Sequence, residues 1–312
     1  MTEPVSIAPK LRLGTRRSPL AMAQAHEARA RLCRALGWDE SAVELVPVLA
    51  SGDKVQDRPL AEIGGKALWT KELDAWLAEG RIDGAVHSMK DVETLRPEWL
   101  TIAAVLPRAD VRDVLLGAAS VRGIPEGARV GTSAPRRAAQ ILHHRPDVVV
   151  VPIRGNVATR LAKLAAGDAD VTLLAAAGLE RLCETGVGHP LDPGDWLPAP
   201  AQGAIGIECR ADDAQTREWL AAIDHAPSRE QVLAERALLA ALGGSCHSPI
   251  AVITRSAGEH LAMTCALFSG DGAEKVDGSV TFSAGDRDAP ARLAADLLAR
   301  ATPGVAALFA GP

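Results

Sequence analysis

Tyrosine is missing from this chain, and aromatic residues make up only 3% of it. With the abundance of alanine, that reads as compositional bias and carries no functional meaning. Other shortages exclude more. Cysteine occurs five times, at Cys33, Cys183, Cys209, Cys246 and Cys265, and no Cys-x-x-Cys occurs. An odd, scattered set is not a disulfide framework and fits a reducing cytoplasm. It also offers no clustered thiolates or imidazoles for a structural zinc, so no metal site is expected. The N-terminus lacks an apolar core of signal-peptide length, and no apolar run is long enough to cross a bilayer. Positive charge is not in excess: the formal net charge is −5. A broad nucleic-acid footprint is therefore excluded, and any basic site must be local. No Walker loop is present, because Gly64-Gly65-Lys66 lacks the required spacing. These shortages predict a soluble, cytoplasmic protein with neither nucleic acid nor membrane as partner.

What is there is a chain of 312 residues, 47% hydrophobic, enough for two or three domains. Leu11 to Leu13 reads as a strand, and Leu20 to about Leu36 as a helix. Ser18 is its N-cap, Pro19 its first residue and Gly37 its end. Val43 to Leu49 is a strand, and the polar, Gly-rich stretch 51–66 reads as a mobile loop over a site. Thr70 opens a helix with Leu73, Trp76 and Leu77 inward. Ala85-Val86 is a short buried strand that breaks into His87-Ser88-Met89-Lys90-Asp91. Leu100 to Leu106 is another strand, and 107–110 crosses into a second domain. There, strands at 114–116, 129–130, 148–153 and 171–174 alternate with helices. Pro198 to Gly203 is a rigid connection, and strand 204–209 is expected to return to the first domain, making the hinge double. Ser228-Arg229-Glu230-Gln231 reads as a capping box opening a helix to Leu242. Strands near 250–254, 261–268 and 280–282 and a last helix from 290 to 300 form a small α+β third domain. One echo matters: strand, Gly14-Thr15, basic residues, Pro19, helix recurs as strand, Gly131-Thr132, Pro135, basic residues, helix. Two similarly built domains predict a cleft between them.

The candidate chemistry sits at strand-to-helix junctions. Ligands of α/β sheets bind beyond the carboxyl ends of strands, which is where Asp91 falls, with Lys90 beside it. Arg16 and Arg17 precede one helix and Arg136 and Arg137 begin another, where a cation opposes the helix dipole. That placement is sensible if an anion is held there by guanidinium forks. Arg154 and Arg160 add to the set. His87, His143 and His144 read as structural. Cys246, in the loop after a helix end, is either a small buried hydrophobe or a thiol used once as an attachment point; local physics leaves both open.

Taken together, several stretches resemble the porphobilinogen deaminase family from end to end. They are Gly14-Thr15-Arg16-Arg17-Ser18-Pro19-Leu20-Ala21, Gly64-Gly65-Lys66, His87-Ser88-Met89-Lys90-Asp91-Val92, Gly131-Thr132-Ser133 with Arg136-Arg137, Arg154-Gly155-Asn156-Val157-Ala158-Thr159-Arg160, Ala175-Ala176-Ala177-Gly178-Leu179 and Gln202-Gly203-Ala204-Ile205-Gly206-Ile207-Glu208. The resemblance implies an α/β fold: two similar periplasmic-binding-protein-like domains joined by a double hinge, plus a small C-terminal α+β domain. The expected bounds are 8–107 with 203–224, then 108–202, then 225–312. It implies hydroxymethylbilane synthesis, in which porphobilinogen units condense head to tail with loss of ammonia, as a step of tetrapyrrole and haem biosynthesis. It implies a dipyrromethane cofactor in thioether linkage to Cys246 and a catalytic Asp91 flanked by Lys90. Cofactor contacts from Ser18, Lys90, Arg136 and Arg137 and substrate contacts from Arg16, Arg154, Arg160 and Arg181 follow from it. So do a flexible loop running from Asp53 to Lys66, a monomeric state, and porphobilinogen and hydroxymethylbilane as small-molecule partners. Ala134-Pro135, Ala201 and Trp69 depart from the family pattern. A two-domain protein that clamps a carboxylate ligand without chemistry is the competing reading; Cys246 and the third domain favour the enzyme.

Overall fold

The computed structural model describes residues 9–48 and 70–309. The 51–66 loop, including Asp53 and Lys66, and Trp69 lie outside the described residues. Three sheets organise the rest.

The first sheet contains β1 (Leu11–Arg16), β2 (Val43–Val48), β3 (Gly84–Ser88), β4 (Leu100–Val105) and β10 (Ile205–Arg210), in the order β2-β1-β3-β10-β4. Strands β1, β2 and β3 are parallel, and β10 runs antiparallel between β3 and β4. Helix α1 (Pro19–Leu36) follows β1 and packs Ala25, Ala28 and Leu32 against Leu11 and Leu13. Its start is built as the sequence implies: Ser18 Oγ accepts from the Ala21 N–H at 3.3 Å and Pro19 opens the first turn. Gly37 closes it at φ +64, a left-handed conformation that glycine adopts without Cβ strain. Helix α2 (Lys71–Ala78) buries Leu73 and Leu77.

The second sheet repeats the plan. It contains β5 (Asp113–Leu116), β6 (Arg129–Gly131), β7 (Val149–Val151), β8 (Val171–Ala175) and β9 (His189–Pro190), ordered β7-β6-β8-β5-β9. Here β6, β7 and β8 are parallel and β5 is the antiparallel strand beside β8. Each sheet thus has a three-strand parallel core with its first strand in the middle, and an antiparallel strand that arrives from a crossing segment. Helices α3 (Pro135–His144), α4 (Val157–Ala165) and α5 (Ala176–Arg181) follow β6, β7 and β8.

Two segments cross between these sheets, one from β4 to β5 and one from β9 to β10. They are tied to each other by the Ala109 N–H on the Gly203 carbonyl at 3.2 Å, by Gln202 Nε2 on the Val111 carbonyl at 2.8 Å, and through Arg108. Arg108 on the first crossing donates from Nε to the Gln202 carbonyl on the second, and from both Nη atoms to Glu235 at 2.9 and 2.8 Å. Glu235, fully buried, also accepts from the Ala201 and Thr254 N–H groups. Ala201 sits at φ 58, a left-handed position that costs a non-glycine residue about 1–2 kcal/mol. Here the buried N–H···Glu235 bond at 2.6 Å holds it there.

Helix α6 (Ala214–Ala221) leads to the third unit. Helix α7 (Ala226–Ala241) begins three residues earlier than a capping box at Ser228 requires. The cap is His225, whose ring accepts from the Ser228 N–H, because Pro227 fits a first turn that needs no N–H from it. Ser228 Oγ is used instead to accept from the Arg108 N–H at 2.8 Å. Strands β11 (Ile250–Ala257), β12 (His260–Phe268) and β13 (Lys275–Ser283) form an antiparallel sheet, covered by α7 and α8 (Ala289–Arg300). A short α9 (Pro303–Ala306) ends the fold. Strand β13 runs longer than the apolar signal at 280–282 because its alternate residues are exposed on an edge. Among the described residues, no helix is long and apolar enough to cross a membrane.

Candidate active site

A cleft of about 740 Å³ lies where the three units meet. It is walled by β-strand ends and helix starts from both α/β sheets and by the loop after α7. That volume falls within the range of small-molecule sites, roughly 300–1,000 Å³.

One wall begins at the end of β3. Met89 is buried, and its side chain packs so closely on β10 that a Cβ on Gly206 would lie 2.1 Å from its sulfur. The chain turns through a single 3-10 turn, Met89–Asp91, so with Met89 pinned inward, Lys90 and Asp91 line the cleft. Ser88 is locked beside them by a reciprocal pair with the Gln24 amide, at 2.8 and 3.1 Å. A second, small cavity of about 60 Å³ opens behind Asp91, lined by Gln24, His87 and Ser88. Burial lowers the Lys90 ammonium to a pKa of about 8, and the nearby Arg137 and Arg136 charges push the same way against Asp91 and Asp113.

The opposite wall is cationic. Arg136 and Arg137 lie in the first turn of α3, both 5% exposed. The anion facing them is one the chain itself supplies: Asp113, fully buried at the start of β5, accepts from Arg136 Nη2 at 2.8 Å and Arg137 Nη2 at 2.7 Å. Trp196 Nε1 and Gln202 Nε2 also donate to it, each at 2.9 Å. Burial opposes the Asp113 charge, but the two guanidinium groups overcome it and hold the carboxyl far below the usual range. Arg136 and Arg137 each give one further bond, to the Leu197 and Leu173 carbonyls. Arg137 Nε is buried with no hydrogen-bond partner. The α3 cap residue, Ala134, has no side-chain acceptor, so the helix start leaves donors toward the cleft.

Arg154 and Arg160 flank the next junction. Asn156 Oδ1 caps α4 through the Thr159 N–H at 2.9 Å, and Arg160 Nε bonds the Gly155 carbonyl at 2.9 Å. Gly155 needs its φ of +114 and its lack of Cβ, since a Cβ would lie 2.6 Å from Thr159. Arg160 is lowered to about 10, by burial first and then by Arg137 and Arg154. Arg16 and Ser18 complete the rim from the first sheet.

Cys246 belongs to the loop after α7, keeps exposed surface and lines the same cleft. Loss of solvent at the cleft wall, followed by the Asp91 and Glu93 charges, pushes its thiol up to about 11. The Asp91 turn and the Cys246 loop are fastened together. Thr94 Oγ1 donates to the Gly244 carbonyl at 2.9 Å, and Arg236 of α7 donates to the carbonyls of Val92, Glu93 and Thr94.

Of the residues singled out in the sequence, Arg16, Ser18, Lys90, Asp91, Arg136, Arg137, Arg154, Arg160 and Cys246 all line this cleft. Arg181 is directed elsewhere: it donates to the Gly203 carbonyl at 3.1 Å and approaches Glu27 of α1 at 3.5 Å, at the seam between the two sheets. His143 binds the Gly272 carbonyl, and His87 Nε2 lies 3.2 Å from Glu208 but off the line that a hydrogen bond needs. The residues that sequence reasoning passed over are Asp113, Glu208 and Arg96. Two carried a signal, a lone acid in an apolar strand: Asp113-Val114-Leu115-Leu116 and Ile205-Gly206-Ile207-Glu208-Cys209. Such a group is buried only if paired.

The chain was compared with known proteins. Residues 11–218 match the family model described as porphobilinogen deaminase, dipyromethane cofactor binding domain, and residues 229–299 match porphobilinogen deaminase, C-terminal domain. A porphobilinogen deaminase of Sphingopyxis alaskensis is 56% identical over 306 residues, 96% of each chain. One from Paracoccus denitrificans is 49% identical over 269 residues, 85% of this chain and 86% of that one. Among solved structures, the periplasmic VFT2 domain of Bordetella pertussis BvgS has 15% identity and a TM-score of 0.41, covering 69% of this chain and 87% of that one.

Proposed function

The chain belongs to the porphobilinogen deaminase family, and on that premise we propose how its own residues carry the reaction. The reaction is hydroxymethylbilane synthesis, a transferase activity: porphobilinogen units are joined head to tail with loss of ammonia, and water releases the linear product. The family's cofactor is dipyrromethane.

The donor set of the cleft fits that group. A dipyrromethane carries an acetate and a propionate on each ring, and the cleft offers guanidinium groups, the Lys90 ammonium and the N-terminus of α3 to hold them. Cys246 is the attachment point, by a thioether; Ser18, Lys90, Arg136 and Arg137 hold the acid side chains. When bound, the cofactor supplies the covalently held pyrrole end to which incoming units add. Arg16, Arg154 and Arg160 take the carboxylates of incoming porphobilinogen. Arg181, at the seam, reaches substrate only if the Glu27 contact opens.

Asp91 is the catalytic group. Loss of ammonia leaves the substrate as an electron-poor, cationic azafulvene. A carboxylate at the cleft wall stabilises that cation, accepts from the pyrrole N–H, and moves a proton to the departing amine and from the new bond. Lys90 beside it balances the carboxylates drawn in. What carries this reading is the meeting of Asp91 and Cys246 on one cleft wall, although 155 positions separate them in sequence, with the thiol feeling the Asp91 charge. The domain bounds given above, a cytoplasmic location and a monomeric state belong to the same proposal; free thiols throughout the described chain support the second.

Asp91→Asn tests it. The variant is expected to fold normally and to lose on the order of 10²–10⁴ in kcat; a wild-type rate would overturn the assignment. In parallel, Cys246→Ser is expected to show no covalent adduct of two pyrrole units by intact mass, and an adduct of full stoichiometry would refute the attachment point.

A further inference from the structure

Arg96 lies outside the cleft and reaches no substrate, yet it holds the turn that carries Asp91. Its side chain is 10% exposed and sits among three carboxylates. Nε and Nη2 fork onto Glu208 of β10 at 3.0 and 2.9 Å. Nη2 and Nη1 fork onto Asp74 of α2 at 2.6 and 3.1 Å. Nη1 also donates to Glu93 at 3.0 Å, two residues beyond Asp91, and Glu93 accepts from Thr70 Oγ1 at 2.7 Å. Every nitrogen of the guanidinium is used. Among the described residues, the His87 ring, 3.2 Å from Glu208, and Arg236, which is spent on the carbonyls of residues 92–94, also face this cluster.

The chain leaving Asp91 is thus gripped from two sides. Arg236 takes its backbone from the third unit, and Arg96 takes its Glu93 side chain from the sheet below. Three carboxylates converge on Arg96. Without it they repel one another in a site with little water, and Glu93 is the one free to leave, because Asp74 is fixed in a helix and Glu208 in a central strand. A planar five-donor fork serves three acceptors at once in a way that an ammonium cannot.

We propose that Arg96 is a positioning residue for the reaction: by neutralising Glu93, Asp74 and Glu208 together, it fixes the Asp91 turn against β10 and α2, and so sets where the Asp91 carboxylate stands in the cleft. The proposal rests on the assignment of Asp91 as the catalytic group. It makes no contact with the cofactor or with substrate, so binding should be spared and turnover should not.

The test is steady-state kinetics of Arg96→Leu, Arg96→Lys, Glu93→Gln and Arg96→Leu/Glu93→Gln, with Asp91→Asn as control. Arg96→Leu is expected to lower kcat by on the order of 10- to 100-fold, the cost of misplacing a reacting group by about an ångström, with KM for porphobilinogen nearly unchanged. Adding Glu93→Gln should restore much of the lost kcat, which a general loss of stability would not allow. Wild-type kcat in Arg96→Leu, or a double variant no better than the single one, would overturn the inference. Should Arg96→Leu not accumulate as folded protein, Arg96→Lys carries the test, with kcat down severalfold at an unchanged melting temperature; a wild-type kcat there would overturn it equally. If instead Asp91→Asn turns over normally, the catalytic assignment fails and not the positioning argument alone.

Discussion

Replacing Asp113 by asparagine should damage both stability and the cationic wall, and the size of the effect can be worked from its contacts. The carboxylate has no exposed surface and takes four hydrogen bonds, two of them from Arg136 and Arg137. Asparagine keeps the shape but loses the charge, and its amide must turn N–H groups toward at least one donor. Breaking a buried ion pair from one side costs about 3–5 kcal/mol, because the partner charge is left uncompensated. Two guanidinium groups are stranded here, so the upper half of that range applies. Domain stabilities run from about 5 to 15 kcal/mol, so the variant gives up a large share of its margin. Urea unfolding followed by circular dichroism measures it. Intact mass measures a second consequence: once released from Asp113, Arg136 and Arg137 turn away from their present rotamers, and the covalent adduct per chain should fall. Stability within about 1 kcal/mol of wild type, together with full adduct, would refute the claim that Asp113 sets this wall.

Three more outcomes are expected. Lys90, lowered to about 8 by burial, is charged below that pH and neutral above it, so carboxylate binding should weaken as pH rises through about 8; Lys90→Arg should move the basic limb of kcat/KM upward, which a pH–rate profile checks. Burial opposes ionisation of Glu208, but His87 and Arg96 outweigh it and hold the carboxyl at about 2 against an ordinary 4.5. A depressed folded pKa stabilises above the unfolded value, so on the order of 3 kcal/mol should be lost as pH falls from about 4.5 through 2, and Glu208→Gln should flatten that part of an acid-unfolding curve. In protein lacking the cofactor, Cys246 with a thiol near 11 should alkylate with iodoacetamide far more slowly than a free thiol at pH 7, rising about tenfold per pH unit; mass mapping of the labelled site checks it, and rapid labelling at neutral pH would contradict the electrostatics.

Much of the fold was legible because its signals are local. Ser18, Pro19 and Gly37 bound α1 through their own side chains and φ angles, and apolar runs such as Leu100 to Val105 mark strands whatever they pair with. The Gly14-Thr15 and Gly131-Thr132 echo does correspond to two sheets built on one plan. At Ser228 a local signal misled, since a capping box and a first turn begun by Ala226-Pro227 both satisfy the same rules. What picked the second was a distant acceptor need, the Arg108 N–H that Ser228 Oγ satisfies.

The cleft shows the same division. The sequence by itself determined which chemical groups this protein has to work with: a carboxylate and ammonium at the end of β3, arginines at strand-to-helix junctions, one loop thiol. It also determined the family to which they belong. Only the tertiary structure decided which charges face each other. The arginines that begin α3 called for an anion, and the chain answers that call itself, with Asp113 from 23 positions away. Arg181, alike in sequence terms, is spent on a seam. Asp91 and Cys246 share a wall because Arg236 and Thr94 draw the third unit onto the first. Helix caps and periodicity are properties of neighbouring residues, whereas pairing of buried charge is a property of distances that the chain acquires only on folding.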